Sequence, residues 1–372
     1  MPVFFSNDIH HILKVWGKLG QVGDGLASWP TDFSRGINPI PCHSHNDYWR
    51  LVPLYSAIGA GCISVEADIW LFEEELYVGH SVASLTRNRT LNSLYIEPLL
   101  NILAKQNPTT PFHDGNASRN GVFDTRPEQS LVLLIDFKTP GVDLWPYVLS
   151  ALAPLRERHY LTHVDGDQII QRPITVIGTG NTPFDLVASK ASNPDRDIFF
   201  DAPLRTMDDE SGSKTTTALQ TKDSVRRKVQ AVEEVPRLRS RLLLGNAGGL
   251  GSQNSIDHGA AQSQDLPSER PTVTADLYNT NNSYYASGSF QEIFGHLVNN
   301  RFSSEQMKLL RDQVRGAHRR GLKARYWDLP YWPISLRNHV WEVLVKEGVD
   351  LLNVDDLKGA TERDWRRPHP WW

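Results

Sequence analysis

Apolar and polar positions along the chain follow two alternating periods. Short, nearly unbroken apolar runs predict buried strands over 38–43, 62–71, 131–138, 174–180, 197–201, 283–286, 322–328 and 349–355. Segments with apolar positions three and four apart predict helices over 51–60, 91–105, 144–157, 304–320 and 336–347. Residues 73–80 read as a short hairpin return, and 107–128 as a polar loop. Buried strands alternating with amphipathic helices imply parallel βαβ units. About eight such strands favour a closed (β/α)8 TIM barrel over an open sheet. In that fold, function gathers at the C-terminal ends of the strands. His43, Glu66, Asp68, Asp136, Asn181, Asp201, Asp328 and Asp355 all fall at or just after predicted strand ends.

The same pattern divides the chain. Residues 1–35 read as an amphipathic helix carrying Ile9, Ile12, Leu13 and Trp16, followed by a glycine-rich linker. The barrel spans 36–360, with a polar insertion over about 205–280, and 361–372 form a tail. Within the insertion, 221–235 reads as helical and 242–244 as a short apolar run. The stretch 246–272, rich in Gly, Ser, Gln and Asn, is expected to be disordered.

Composition narrows the possibilities. The 372 residues are 40% hydrophobic, enough for a sizeable core, and the formal charge of −4 gives no basic footprint for nucleic acid. No apolar run is long enough for a transmembrane helix. Asp8, His10 and His11 interrupt the place where a signal peptide needs an apolar stretch, so a cytoplasmic or mitochondria-associated protein is expected rather than a secreted one. Three sequons begin at Asn88, Asn116 and Asn281. Cys42 and Cys62 sit near adjacent predicted strands. A bridge between them is conceivable, but two buried free thiols are the expectation.

The chemistry concentrates in about forty residues plus one later strand. Pro41-Cys-His-Ser-His-Asn-Asp-Tyr48 closes the first strand, Ser64-Val-Glu-Ala-Asp-Ile-Trp70 forms the second, and Tyr77-Val-Gly-His80 ends the hairpin. Residues i and i+2 of a strand share a face, so Glu66 and Asp68 project together, opposite Val65 and Ala67. Asp136 and Lys138 share a face of the third strand in the same way. Unpaired carboxylates in apolar strands are costly, so three of them point to a divalent cation. Histidines beside them suit acid–base work.

The order His, Glu-x-Asp, His, Asp-x-Lys resembles the phospholipase-C-like phosphodiesterase superfamily, especially its glycerophosphodiester phosphodiesterase branch. His-Ser-His-Asn-Asp-Tyr, Val-Glu-Ala-Asp-Ile-Trp and Leu-Tyr-Val-Gly-His are more closely similar to the fungal altered inheritance of mitochondria protein 6 family, over roughly 28–357. The chain departs from the superfamily in three places. Ser44-His45 replaces Arg-Gly after the first histidine, Asp136 replaces Glu, and Ser81 replaces Asp after His80. The resemblance implies a metal-dependent phosphoric diester hydrolase acting on a small glycerophosphodiester or phospholipid-type substrate. In it Glu66, Asp68 and Asp136 bind one Mg2+ or Ca2+, with Mn2+ also suitable. Either His43 or His45 acts with His80 as general base and general acid. Lys138 meets a phosphate oxygen, and a neighbouring substrate hydroxyl attacks first to give a cyclic phosphate. Asn46 and Trp327 are further expected substrate contacts.

Each residue also has a plainer reading. A lone Glu-x-Asp is more often an ion-pair partner, Lys138 pairs naturally with Asp136, and Asn46 and Asp47 suit an Asx turn. Tyr326, Trp327, Tyr331 and Trp332 either line a pocket or pack. His163, His258 and His339 carry no functional expectation. Two other functions compete. One is a metal-independent glycoside hydrolase using two strand-end carboxylates. The other is a non-catalytic barrel that binds phosphorylated head groups. Oligomeric state is not legible.

Overall fold

The computed structural model describes residues 4–26, 31–112, 118–207 and 275–361. The expected disorder of 246–272, the helical 221–235, the run 242–244, the Asn116 sequon and all but the first residue of the tail lie outside these residues. Eleven strands occur among the described residues: β1 Ile40–Ser44, β2 Cys62–Phe72, β3 Glu75–Val78, β4 Leu131–Phe137, β5 His163–Asp165, β6 Gln168–Ile170, β7 Ile174–Gly180, β8 Ile198–Pro203, β9 Ser283–Ser289, β10 Lys323–Trp327 and β11 Leu351–Val354. Eight of them, β1-β2-β4-β7-β8-β9-β10-β11, are parallel, and β11 pairs back onto β1 to close the ring. This is the expected (β/α)8 barrel. β3 returns antiparallel along β2, and β5–β6 is a separate two-stranded hairpin that the hydrophobic pattern did not announce.

Strand β4 shows how the pattern makes the fold. Its seven residues are all buried. Leu131, Leu133, Ile135 and Phe137 face the helices, while Val132 and Leu134 fill the barrel. An unbroken apolar run is what a strand covered on both faces requires. The barrel interior has two levels. Val132, Leu134, Ile177, Phe199, Tyr285 and Leu351 form an apolar floor with Val164 of β5. Toward the C-terminal strand ends, the buried residues turn polar: His43, Glu66, Asp68, Asp136, Asp201, Arg325 and Asn353.

Helices Glu97–Gln106, Gly141–Glu157, Ser304–Arg319 and Ile334–Lys346 cover the outside in two apolar layers. The third of these starts at a capping box. Ser303 Oγ accepts from Gln306 N (3.2 Å), and Gln306 Oε1 accepts from Ser303 N (2.8 Å). The helix expected over 51–60 is shorter, Tyr55–Ala60. Pro53 disfavours helical backbone at Val52, and Asp47 Oδ2 takes the Leu54 N–H at 2.6 Å, holding that stretch as a loop. No helix among the described residues is long and apolar enough to cross a membrane.

Cys42 and Cys62 are joined by a disulfide, which corrects the expectation of two free thiols. Parallel pairing of β1 with β2 brings their Cα atoms to 4.7 Å. Both cysteines point outward into the strand–helix layer. The bridge closes a loop of 20 residues, a constraint of about 3 kcal/mol in the chain-entropy account. It ties the strand that carries His43 to the strand that carries Glu66 and Asp68.

Candidate active site

The three carboxylates meet because of register. Asp68 of β2 lies level with Asp136 of β4, and Glu66 sits one interior position below. One oxygen from each of Glu66, Asp68 and Asp136 lies within 4.8 Å of the others. Oxygens sharing one Mg2+ or Ca2+ stand at most about 4–5 Å apart, so the spacing suits one such ion. Lys138 Nζ bridges Asp68 Oδ2 (3.0 Å) and Asp136 Oδ2 (2.8 Å). Asp68 Oδ1 is left buried with no hydrogen-bond partner. Three carboxylates against one ammonium leave two negative charges, a match for a divalent cation. Burial, followed by the like charge of Asp136, pushes Asp68 up to about 8, against the pull of Lys138. For Lys138 burial works the other way, but the two aspartates prevail and raise its pKa.

Asp136 reaches its place only because position 180 is glycine. Gly180 has φ +65°, and a Cβ there would sit 2.0 Å from Asp136 Oδ1. Gly180→Ala is therefore expected to cost at least about 1–3 kcal/mol and to displace the Asp136 carboxylate. A thermal melt checks the first effect. Metal-linked stabilisation of the same variant checks the second.

The two strand-1 histidines occupy different worlds. His43 is fully buried, its Nδ1 2.6 Å from Ser64 Oγ and its Nε2 3.5 Å from Glu66 Oε2. Tyr285 Oη donates to Ser64 Oγ (3.0 Å). The hydroxyl then donates to Nδ1 and leaves the proton of neutral His43 on Nε2, facing Glu66. Burial, and then the charge of Arg325, lower His43 to about 4. His45 stands at the barrel mouth with 25% of its side chain exposed; its Nδ1 is 2.8 Å from Asp355 Oδ1 and its Nε2 3.7 Å from Glu66 Oε2. Burial opposes its charging, but Glu66 and Asp355 outweigh burial and raise its pKa.

His80 is on the opposite flank. Its Nδ1 is 3.9 Å from Asp68 Oδ2 and 3.4 Å from Tyr48 Oη, and its ring packs on Trp49 at 4.7 Å between centroids. The hairpin fixes it there: Gly79 N donates to Asp68 O (3.1 Å), and Trp70 Nε1 donates to Gly79 O (2.7 Å). Burial and the charge of Lys138 lower its pKa.

Asn46 adopts left-handed backbone and donates its main-chain N–H to Glu66 Oε2 at 3.0 Å. Its side chain is taken up by Tyr48, whose hydroxyl lies 2.5 Å from Asn46 Oδ1 and 2.7 Å from Asp68 Oδ2. Asp47 is not the turn residue its type suggests. It is buried and braces the loop through Ser44 Oγ (2.8 Å), Leu54 N (2.6 Å) and Tyr95 Oη (3.2 Å). Trp327 ends β10 on the interior face it shares with Arg325. Among the described residues no hydrogen bond joins Trp327 to the acidic cluster. Tyr326 packs outward instead, with its hydroxyl on Gln313.

Sequence reasoning missed Tyr48 and Arg325. Tyr48 lies inside the first motif, but nothing in its spacing reveals a contact with Asp68. Arg325 was readable: in Lys323-Ala-Arg-Tyr-Trp327, alternation puts a charge on the buried face. It bonds Ser287 Oγ (3.0 Å), Asn353 Oδ1 (2.8 Å) and Asp201 Oδ2 (3.4 Å) beneath the site.

Comparisons with known proteins bear on the same residues. The AIM6-like phosphodiesterase domain matches residues 31–201, which contain His43, His45, Glu66, Asp68, His80, Asp136 and Lys138. The altered inheritance of mitochondria protein 6 homolog of Arthroderma benhamiae is 39% identical over 345 residues, covering 90% of this chain and 87% of its own. Altered inheritance of mitochondria protein 6 of Eremothecium gossypii is 33% identical over 358 residues (95% and 77%). The Saccharomyces cerevisiae protein is 31% identical over 347 residues (87% and 70%). No solved structure matches the chain.

Proposed function

Because the chain belongs to the altered inheritance of mitochondria protein 6 family, we propose that it is a metal-dependent phosphoric diester hydrolase acting on a glycerophosphodiester or phospholipid-type substrate. One observation carries this reading. The buried, unpartnered Asp68 Oδ1 sits among three converging carboxylates, and a histidine stands on either flank. Such an oxygen is costly without a cation.

In this reading Glu66, Asp68 and Asp136 hold the ion, and Lys138 keeps the two aspartates aimed. When bound, a divalent cation supplies positive charge against a non-bridging phosphate oxygen. The acid–base pair is His45 and His80. His43 is too deep to meet substrate and serves to orient Glu66. His80, held neutral, takes the proton of the attacking hydroxyl as its oxygen bonds to phosphorus. His45, whose charged form Glu66 and Asp355 favour, hands a proton to the leaving oxygen as the ester bond breaks. Attack by an adjacent substrate hydroxyl yields a cyclic phosphate, and attack by water yields the monoester.

The metal is tested on stripped protein. After EDTA treatment, Mg2+, Ca2+ and Mn2+ are titrated separately while melting temperature and phosphodiester cleavage are recorded. An ion at a hundred times its dissociation constant is expected to add about 2.7 kcal/mol, a rise of several degrees. Undiminished cleavage by stripped protein, with no metal-linked rise, would overturn the reading.

A further inference from the structure

The barrel mouth is apolar on one side. The loop after β1 exposes Trp49, Val52 and Leu51, the last at 98%. The loop after β10 exposes Ile334, Tyr331 at 68% and Trp332 at 69%. Only β11 separates β1 from β10, so the two loops leave the barrel about 10 Å apart. In the described residues that directly follow β7 and β8 on the far side of the ring, 181–188 and 204–207, no large apolar side chain is exposed.

The exposed tip after β1 is firmly anchored. Arg50, between Trp49 and Leu51, donates to Ser44 Oγ (3.0 Å), His45 O (3.1 Å), Val354 O (2.8 Å) and Asp355 O. Arg89 donates to Tyr48 O on the other flank. The fold therefore holds Leu51 in water by design of its hydrogen bonds, where its burial elsewhere would be favourable. The rim also runs without a break into the candidate site, since Trp49 packs on His80.

Resting on the phosphodiesterase reading, we propose that this rim docks the barrel mouth onto a zwitterionic phospholipid surface, and that the substrate is a phospholipid taken from that surface. A small water-soluble diester gains nothing from six exposed apolar side chains beside the pocket. A phospholipid does: its phosphate enters the acidic site while its acyl chains stay in the lipid layer against the rim. Tyrosine and tryptophan suit that boundary because their rings are apolar and their tips polar. Charge selects the head group. The β2–β3 hairpin beside the mouth exposes Glu73, Glu74 and Glu75, which repel an anionic surface.

Sedimentation with phosphatidylcholine vesicles tests this in EDTA, so that binding is read without turnover. Wild-type protein is expected to co-sediment, to do so equally in high salt, and to bind phosphatidylserine vesicles less well. The Leu51→Ser/Trp332→Ser double variant should partition about 100-fold more weakly at an unchanged melting temperature. Equal partition of variant and wild type, or absence of wild-type binding, overturns the proposal. So does a preference for phosphatidylserine that salt abolishes. Cleavage of bis(p-nitrophenyl) phosphate in metal is measured alongside. Cleavage without vesicle binding defeats the docking alone. Vesicle binding without cleavage of this diester, of phosphatidylcholine or of lysophosphatidylcholine, whose free glycerol hydroxyl adjoins the phosphate, supports the docking and defeats the phosphodiesterase reading.

Discussion

His45→Ala is expected to lower phosphodiester turnover by roughly 10²–10⁴-fold while leaving the fold intact. His45 is partly exposed at the mouth and hydrogen-bonded only at its edge, so its loss opens no cavity in the core. Its Nε2 is the histidine nitrogen at the mouth nearest Glu66. His43→Ala is expected to behave differently. It removes a fully buried ring and leaves the Ser64 hydroxyl proton without its acceptor, so its first effect is on stability. Steady-state kinetics and thermal melts on both variants separate the two. Wild-type turnover in His45→Ala, with turnover lost in a stably folded His43→Ala protein, would exchange their roles.

Asp68→Asn is expected to abolish the metal-linked rise in melting temperature and to cost about 10²–10⁴-fold in turnover. Asp68 has a buried oxygen with no hydrogen-bond partner, and it also anchors Lys138 and Tyr48. In metal-free protein the same change acts in the opposite direction. The folded-state pKa of Asp68 is raised to about 8, above its unfolded value. A group raised in this way contributes stability that is fully present below its unfolded pKa and is lost as pH rises through its folded pKa. Asparagine mimics the protonated form at every pH. The stability advantage of Asp68→Asn over stripped wild type should therefore appear above about pH 4 and grow up to about pH 8. Parallel melts across that range test this. A difference that does not change with pH would remove the carboxylate repulsion from the account.

Strand identity was legible because burial on both faces writes itself as composition. Leu131–Phe137 and Ile174–Gly180 needed nothing beyond their apolar runs. The converging acids were legible for the converse reason: a carboxylate inside such a run has no cheap place to go. Residues whose role depends on a partner distant in sequence stayed hidden. Tyr48 meets Asp68 across 20 residues, and His45 meets Asp355 across 310. Period and propensity are local, and they carry no register. The disulfide was hidden likewise, since the outward direction of both cysteines and the pairing of β1 with β2 decide it together. The proposal of His45 over His43 rests on depth below the barrel mouth, which two residues on one strand face share until the loop beyond them is placed.

Closure of the ring by its last strand sets the order in which the candidate site can be assembled. The His45 main-chain N–H bonds Val354 O at 3.1 Å, and its ring bonds Asp355. Arg50 holds the intervening turn to the same two residues. During synthesis the carboxylates and both strand-1 histidines leave the ribosome early, but the partner that aims His45 comes more than 300 residues later. Contacts of such long range form late in folding. On the proposed reading, a nascent or prematurely ended chain would thus carry the three carboxylates without an aimed His45, and the candidate site would be completed as one event when the C-terminal strand docks.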